Sequence, residues 1–152
     1  MNWKKGIDVG TVCILIAVFG YTGVAKTWGY ESSLDAFLNQ PFPNEWGKYL
    51  SIAVPATELI TVFFLLFRIT RMAGLVLGLV LMTAFTTYTG LVWIGAFDRI
   101  PCSCGGIFSR MGWEAHTAVN AAITILIGLT LWVRSEDIHQ PYSSIWVERP
   151  GK

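Results

Sequence analysis

The sequence has few charged residues. Asp, Glu, Lys and Arg together make up 14% of the 152 residues, whereas the apolar and aromatic residues of the AVILMFWYC set make up 53%. A soluble globular domain has about a quarter charged residues, because water must solvate its surface. The shortage therefore argues against an ordinary soluble domain. Basic runs are also missing, since none exceeds Lys4-Lys5 and the net charge is only +1, which excludes an electrostatic nucleic-acid binder.

Three long segments contain no charged residue, namely 9–25, 73–97 and 117–133, and a fourth, 49–67, is interrupted only by Glu58. These segments approach or exceed the roughly 17–25 residues that a helix needs to cross about 30 Å of hydrocarbon. In lipid every backbone amide must be satisfied within its own segment, and the runs are too long and continuous for barrel strands. The sequence thus predicts an all-α membrane protein, a four-transmembrane-helix bundle.

The bounds of these helices follow from the charges and turn residues that flank them. We expect a membrane domain over residues 1–134, followed by a polar cytoplasmic tail over residues 135–152, with helices at about 7–28, 49–67, 72–97 and 113–134. A basic pair before the first helix is also typical of a signal peptide, but the apolar run is longer than a usual signal core. The first helix is therefore expected to be retained.

The distribution of lysine and arginine predicts the orientation of the bundle. Seven basic residues fall on the side of the termini and four on the other: Lys4, Lys5, Arg68, Arg71, Arg134, Arg149 and Lys152 against Lys26, Lys48, Arg99 and Arg110. This bias predicts cytoplasmic N and C termini in a multi-pass protein of the bacterial inner (cytoplasmic) membrane. The first and third loops would then face the periplasm, an oxidising compartment in which disulfides persist.

Cysteine is scarce as well. The chain has three cysteines, so at most one intramolecular disulfide can form. Cys102 and Cys104 are separated by a single residue in the third loop, and a disulfide between such close neighbours is strained and easily exchanged. A static loop staple, two spectator thiols or a metal site with His116 are the alternatives, but the spacing matches no strong zinc signature and no metal is expected. Cys13, deep in the first helix, is expected to be a small buried hydrophobe.

Two polar residues near the predicted helices are candidates for proton chemistry. A carboxylate such as Glu58 within a membrane span costs about 2.5 kcal/mol or more, and such residues usually face the bundle interior with a partner. Lys26 is its expected counter-ion, and other polar neighbours are Tyr21, Tyr88, Thr61, Thr86 and Thr87. Glu58 is either a proton-accepting or cofactor-orienting group or an interhelical hydrogen-bond anchor. His116 either tunes the pKa of a cysteine or shuttles its proton, or it bonds to backbone at the membrane interface.

Several motifs resemble the MauE/DoxX-like family of redox-associated bacterial membrane proteins, in particular the Bacteroidetes-type forms with a CSCGG loop. The matching segments include YTGVAK at 21–26, VPATEL at 54–59 and IPCSCGG at 100–106, followed by Trp113 and His116. The resemblance covers nearly the whole chain up to about Arg134. It implies a four-helix membrane bundle that takes part in thiol–disulfide chemistry outside the cytoplasm, beside a thioredoxin-like partner, with quinone-coupled sulfur redox among the DoxX relatives.

The leading hypothesis is therefore a membrane thiol–disulfide oxidoreductase component. Cys102 and Cys104 would exchange electrons with a periplasmic thioredoxin-like protein or a disulfide-containing client, and Glu58 or His116 would manage protons. A quinone in the bundle is the most natural electron acceptor, although no sequence motif announces one. We expect its contacts to be Tyr21, Lys26, Tyr88 and Trp113.

Two alternatives come from other functional classes. The first is a non-catalytic accessory subunit of a larger membrane complex, a role that seven tryptophans and a strongly apolar surface would suit. The second is a small proton-coupled transporter that uses Glu58, which four helices without an inverted repeat make less favourable.

Overall fold

The computed structural model describes residues 3–97 and 112–144, with residues 136–144 as backbone only. This part of the chain contains no strand and five helices: α1 Trp3–Trp28, α2 Tyr30–Leu38, α3 Asn44–Leu66, α4 Arg71–Trp93 and α5 Trp113–Ser144. All but α2 are long and apolar enough to cross a membrane, α5 by its segment Trp113–Ser135. The predicted all-α bundle of four membrane-spanning helices is thus confirmed, while its orientation remains a prediction.

Some helix bounds differ from the predicted ones. α4 ends at Trp93 rather than 97, because Gly95 adopts a φ of 70° and reverses the chain. The N–H groups of Gly95 and Ala96 donate to the carbonyls of Val92 and Leu91 at 3.1 and 2.9 Å, which is the hydrogen-bond pattern of a Schellman C-cap. At the other extreme, α5 continues through the expected polar tail as far as Ser144. The tail begins without a glycine or proline that would end the helix at Arg134.

The four long helices pack in a closed ring. α1 packs against α3 and α5, and α4 packs against the same two helices, so that every neighbouring pair is antiparallel. Small residues bring the helices together: a Cβ atom on Gly78 of α4 would lie 3.5 Å from both Leu15 and Phe19 of α1. The buried core around this point consists of Val12, Leu15, Phe19, Leu65, Leu75, Met82 and Ile127.

The bundle has two distinct ends. We call the end at which α1 begins and α3 ends the tail end, and the end at which α1 and α4 end and α3 and α5 begin the loop end. The short helix α2 packs against α1 and α3 at the loop end. A Cβ atom on Gly47 of α3 would lie 2.9 Å from the carbonyl oxygen of Phe37, so the absence of a side chain there is what lets α2 lie against α3.

Cys13 lies on the outer surface of α1, where it is exposed and its thiol is free. The expectation that it would be buried is wrong, because Val12, Leu15 and Phe19 form the inward stripe of α1 and Cys13 falls outside it. Large apolar side chains are exposed over the whole outer surface, as in a protein whose solvent is lipid.

Candidate functional site

A buried ion pair joins α1 to α3. Nζ of Lys26, in the last turn of α1, lies 2.6 Å from Oε1 of Glu58 and donates a hydrogen bond to it. The Glu58 side chain is 1% exposed, whereas that of Lys26 is 18% exposed. Lys26 was the counter-ion expected from the sequence, and that expectation is confirmed.

The pair forms where α1 comes very close to α3. A Cβ atom on Gly23 would lie 3.1 Å from the side chain of Leu59 and 3.4 Å from Cβ of Glu58. A larger residue at this position would push the two helices apart at the level of the carboxylate. Gly23, three residues before Lys26, therefore sets the spacing that lets one lysine reach a buried acid on the neighbouring helix.

In the described part of the chain, one oxygen of the Glu58 carboxylate has a hydrogen-bond donor and the other has none. Oε2 is buried and has no hydrogen-bond partner among the residues that the structure describes. A buried acceptor without a donor costs about 1–3 kcal/mol, and more when the group is charged. A buried carboxylate with one unpaired oxygen therefore contributes little to the stability of the bundle. That oxygen, Oε2, is available to accept a proton or a hydrogen bond from a polar ligand.

The other two long helices also contribute to this site. Nζ of Lys26 lies 5.8 Å from the ring centroid of Phe85 on α4, within range of a cation–π interaction. His116 on α5 is near enough to Lys26 for their charges to interact, and its ring stacks on Trp113 with centroids 6.1 Å apart and planes 10° apart. We call Lys26, Glu58, Phe85, Trp113 and His116 the loop-end cluster.

Tyr88 lies on the same helix as Phe85 and anchors the segment after α2. Its hydroxyl donates a hydrogen bond to Oε1 of Gln40, a side chain that is 2% exposed. Its ring packs against Phe42 and Phe97, with centroids 5.7 and 6.1 Å away. The sequence reasoning singled out Tyr88 but missed Gln40, for which only a folded contact, and no spacing pattern, provides a signal.

The remaining predicted site residues are placed differently. Tyr21 is 45% exposed on the surface of α1, away from the buried side of that helix. Cys102 and Cys104 lie outside the described residues. The described residues that flank this segment, Phe97 and Gly112, are both at the loop end. Within residues 3–97 and 112–135, no group of three or more His, Cys, Asp and Glu side chains is arranged to hold a metal ion.

A second charged cluster, at the tail end, was not predicted. Oδ1 of Asp8 on α1 accepts a hydrogen bond from Nε of Arg134 on α5 at 2.7 Å, and Nη2 of the same guanidinium forms an ion pair with it at 2.6 Å. Nη1 of Arg71 on α4 lies 3.9 Å from Oδ2 of the same carboxylate. We call Asp8, Arg71 and Arg134 the tail-end cluster. The available signal was Asp8 itself, an acid next to an apolar run. Its contact with Arg134 is revealed only by the packing of α1 against α5.

Comparison with known proteins places the chain in a family. The family described as Methylamine utilisation protein MauE matches residues 4–133, a range that includes nearly all of the four long apolar helices. No curated protein and no solved structure matches the chain. The DoxX part of the predicted resemblance stays a prediction. The chain is thus a multi-pass membrane protein and belongs to the MauE family, whose members are linked to methylamine utilisation and redox maturation.

Proposed function

We propose that this protein is the membrane component of a thiol–disulfide exchange system outside the cytoplasm of a bacterium, in the inner membrane. One observation carries the proposal: Phe97 and Gly112 lie at the same end of the bundle as the carboxylate of Glu58, whose Oε2 has no hydrogen-bond partner among the described residues. The intervening segment contains Cys102 and Cys104. The proposal therefore assigns a redox-active cysteine pair and a buried proton carrier to the same end of the molecule.

The exchange is written as oxidation of a thioredoxin-like protein or another dithiol client. A thiolate of the client attacks one sulfur of a Cys102–Cys104 disulfide, which breaks that bond and forms a mixed disulfide. The second client thiol, as its thiolate, then attacks the mixed disulfide. The client is released with a new disulfide. Cys102 and Cys104 remain as two thiols, and the pair has gained two electrons and two protons.

Re-oxidation of the two thiols requires an acceptor for those electrons and protons. A quinone dissolved in the bilayer supplies this capacity, since its reduction to a quinol consumes two electrons and two protons. The loop-end cluster suits such a group: the Lys26 ammonium is a hydrogen-bond donor, and the open oxygen of Glu58 can hold a proton. His116, on α5 in the same cluster, is a second residue type able to carry a proton.

Trapping of mixed disulfides tests the exchange step. Cys102→Ala and Cys104→Ala variants are expressed in cells that contain the native partner, and free thiols are blocked with an alkylating agent before non-reducing electrophoresis. One of the two variants is expected to accumulate a covalent complex with a thioredoxin-like protein or disulfide-containing client. Its remaining thiolate attacks the oxidised partner in the reverse direction of the exchange, and the second cysteine, which would resolve the mixed disulfide in that direction, is missing. The complex should disappear on reduction.

Cys13→Ala is the matched control, because Cys13 is a free thiol on the outer surface of α1. It should trap nothing and should complement a deletion as well as the wild-type chain. Full complementation by both single variants and by the Cys102→Ala/Cys104→Ala double variant would refute the proposal. That result would favour the alternative hypothesis, in which the protein is an accessory subunit and its cysteines have no redox role.

A further inference from the structure

The buried carboxylate of Glu58 lies much closer to one end of the bundle than to the other. Gly23 marks its level on α1, since a Cβ atom there would lie 3.4 Å from Cβ of Glu58. From the helical rise, this level is about 8 Å from Trp28, the last residue of α1, and about 30 Å from Trp3, the first. Both indoles are exposed, at 92% and 63%, as is typical of the two membrane interfaces. A proton that reaches Glu58 from the tail end would therefore have to cross most of the membrane.

On the side of the loop end, a polar side chain covers the short distance. Lys26 lies in the last turn of α1, and its Nζ donates a hydrogen bond to Oε1 of Glu58. The Lys26 side chain is 18% exposed, whereas that of Glu58 is 1% exposed, so the lysine links the buried carboxylate to the surface. The other members of the loop-end cluster that face this pair are the Phe85 ring from α4 and the His116 imidazole from α5.

On the side of the tail end, apolar side chains fill the interior of the bundle. Each of the four long helices contributes to this layer with side chains that are at most 1% exposed: Leu15 and Phe19 of α1, Leu65 of α3, Leu75 of α4 and Ile127 of α5. A buried water needs two to four polar partners, and apolar interiors stay dry. Among the described side chains, this layer therefore offers neither a titratable group nor a place for water that could pass a proton on.

The hydroxyl groups that border the apolar layer do not bridge it. Thr61, one turn from Glu58, donates its hydroxyl hydrogen to a backbone carbonyl of its own helix at 2.8 Å. On the far side of the layer, the hydroxyls of Thr11 and Thr130 bond to each other, also at 2.8 Å. On α5 the layer separates Thr124 from Thr130 by about 9 Å along the helix axis, far more than one hydrogen bond spans. In the described part of the chain, a hydrogen-bonded path from Glu58 to the tail end is thus interrupted.

From this asymmetry we infer that Glu58 exchanges protons only with the aqueous compartment at the loop end, so that re-oxidation of the cysteine pair moves no charge across the membrane. The inference rests on the proposed function and adds the source of the quinol protons. When Cys102 and Cys104 are re-oxidised, two S–H bonds break, one S–S bond forms, and two electrons pass to the quinone. The two protons released at the loop end pass through Glu58, one at a time, to the same quinone. Since no proton is taken from the tail end, the membrane potential neither drives nor opposes the reaction.

Proton measurements in liposomes test this inference. The full chain is reconstituted with ubiquinone in the bilayer and a pH-sensitive dye in the lumen. Purified reduced thioredoxin, which cannot cross the bilayer, is then added outside, so that only molecules with an outward-facing loop end react. Quinol is expected to form with no rise in the luminal pH and no membrane potential, as measured by absorbance, the trapped dye and a voltage-sensitive dye.

The outcomes separate this inference from the proposed function. Uptake from the tail end would consume two luminal protons for each quinol, so quinol formation with a rise in luminal pH would overturn the inference and leave the thiol chemistry standing. A wild-type protein that forms no quinol would refute the proposed quinone chemistry, and the inference would fall with it. Without thioredoxin, an imposed pH gradient should decay no faster than in protein-free liposomes. A proton leak that Glu58→Gln abolishes would show a path through the apolar layer.

Two matched variants identify the carboxylate that carries the protons. Glu58→Gln should slow quinol formation by about 100-fold, a typical loss when a proton-transferring group is removed. Asp8→Asn removes the carboxylate of the tail-end cluster and should leave the rate within twofold of that of the wild type. Circular dichroism verifies that both variants fold. An unchanged rate in Glu58→Gln, or an equal loss of rate in Asp8→Asn, would contradict proton entry through the loop end.

Discussion

The two ends of the bundle hold acid–base contacts of opposite design. At the tail end the carboxylate of Asp8 is 22% exposed, and both of its oxygens face an arginine. At the loop end the carboxylate of Glu58 is 1% exposed and pairs with Lys26, and its Oε2 has no hydrogen-bond partner among the described residues. The first contact closes the end of α1 onto α5. The second contact pairs only one oxygen of the Glu58 carboxylate within the described residues, at a depth where burying an incompletely paired charge costs free energy.

This difference separates a structural contact from a candidate functional one. A partly exposed ion pair contributes little net stability, because water already solvates both charges. A buried pair pays a desolvation penalty that its attraction repays only when every remaining atom is satisfied. Because Oε2 of Glu58 has no hydrogen-bond partner in residues 3–97 and 112–135, the contacts described there give no stability reason for a glutamate at that position, whereas a role in moving protons or holding a ligand does.

The largest effect is expected from Lys26→Met, which removes the ion-pair partner of Glu58. The buried carboxylate would be left uncompensated, which typically destabilises a protein by about 3–5 kcal/mol. Unfolding in detergent micelles, followed by the helical circular dichroism signal, measures the loss. The Lys26→Met/Glu58→Leu double variant should recover most of it. A single variant as stable as the wild type would mean that the carboxylate does not depend on Lys26.

Gly23→Ala should have the next largest effect, because its new methyl group would lie 3.1 Å from Leu59 and force α1 away from α3. Overpacking of this kind costs about 1–3 kcal/mol. Gly10→Ala, on the same helix toward the tail end, is the control, since nothing lies within 4 Å of its Cβ position. Equal stability changes for the two variants would show that the close approach at Gly23 is not needed.

Asp8→Asn should lower the free energy of unfolding by about 1 kcal/mol, less than Lys26→Met or Gly23→Ala. The Asp8 carboxylate is already partly solvated, and in its absence the two arginines can bind water or lipid phosphates. The loss should shrink as the salt concentration rises, because exposed charges are screened. A stability loss as large as that of Lys26→Met, or one that salt leaves unchanged, would remove the distinction between the two ends.

Hydrogen bonds between uncharged side chains should contribute equally to stability at the two ends of the bundle. The Thr11 and Thr130 hydroxyls lie 2.8 Å apart near the tail end, and those of Thr86 and Thr124 lie 3.0 Å apart nearer the loop end. Thr11→Val and Thr86→Val are each expected to cost about 0.6 kcal/mol, the average for hydrogen bonds between membrane helices. A clear difference between them would mean that the two ends differ in packing as well as in charge.

The membrane fold could be predicted from the sequence because the physics of the bilayer is simple. Long runs without charge leave helices as the plausible form, so the existence and order of the four spans needed no knowledge of their contacts. Where a helix stops is a more local matter: α4 ends four residues before Phe97 because Gly95 takes a positive φ that hydropathy does not encode.

The candidate site was predictable only in part. Glu58 stood out as a charge within an apolar run, and Lys26 followed as the nearest cation at the correct depth. The face of a helix that turns inward was harder to predict, which is why Cys13 and Tyr21 are exposed. The aromatic ring beside Lys26, the buried Gln40 and the contact of Asp8 with two arginines all join residues far apart in sequence, and no spacing pattern links them.

The most direct test of the account is the redox state of Cys102 and Cys104 in living cells, measured by thiol trapping in Glu58→Gln and Asp8→Asn variants. If the loop end is the reactive end, Glu58→Gln should accumulate the dithiol form, because re-oxidation of the pair loses its buried proton carrier. Asp8→Asn should match the wild type. A Glu58→Gln protein with the wild-type ratio of disulfide to dithiol would contradict the account.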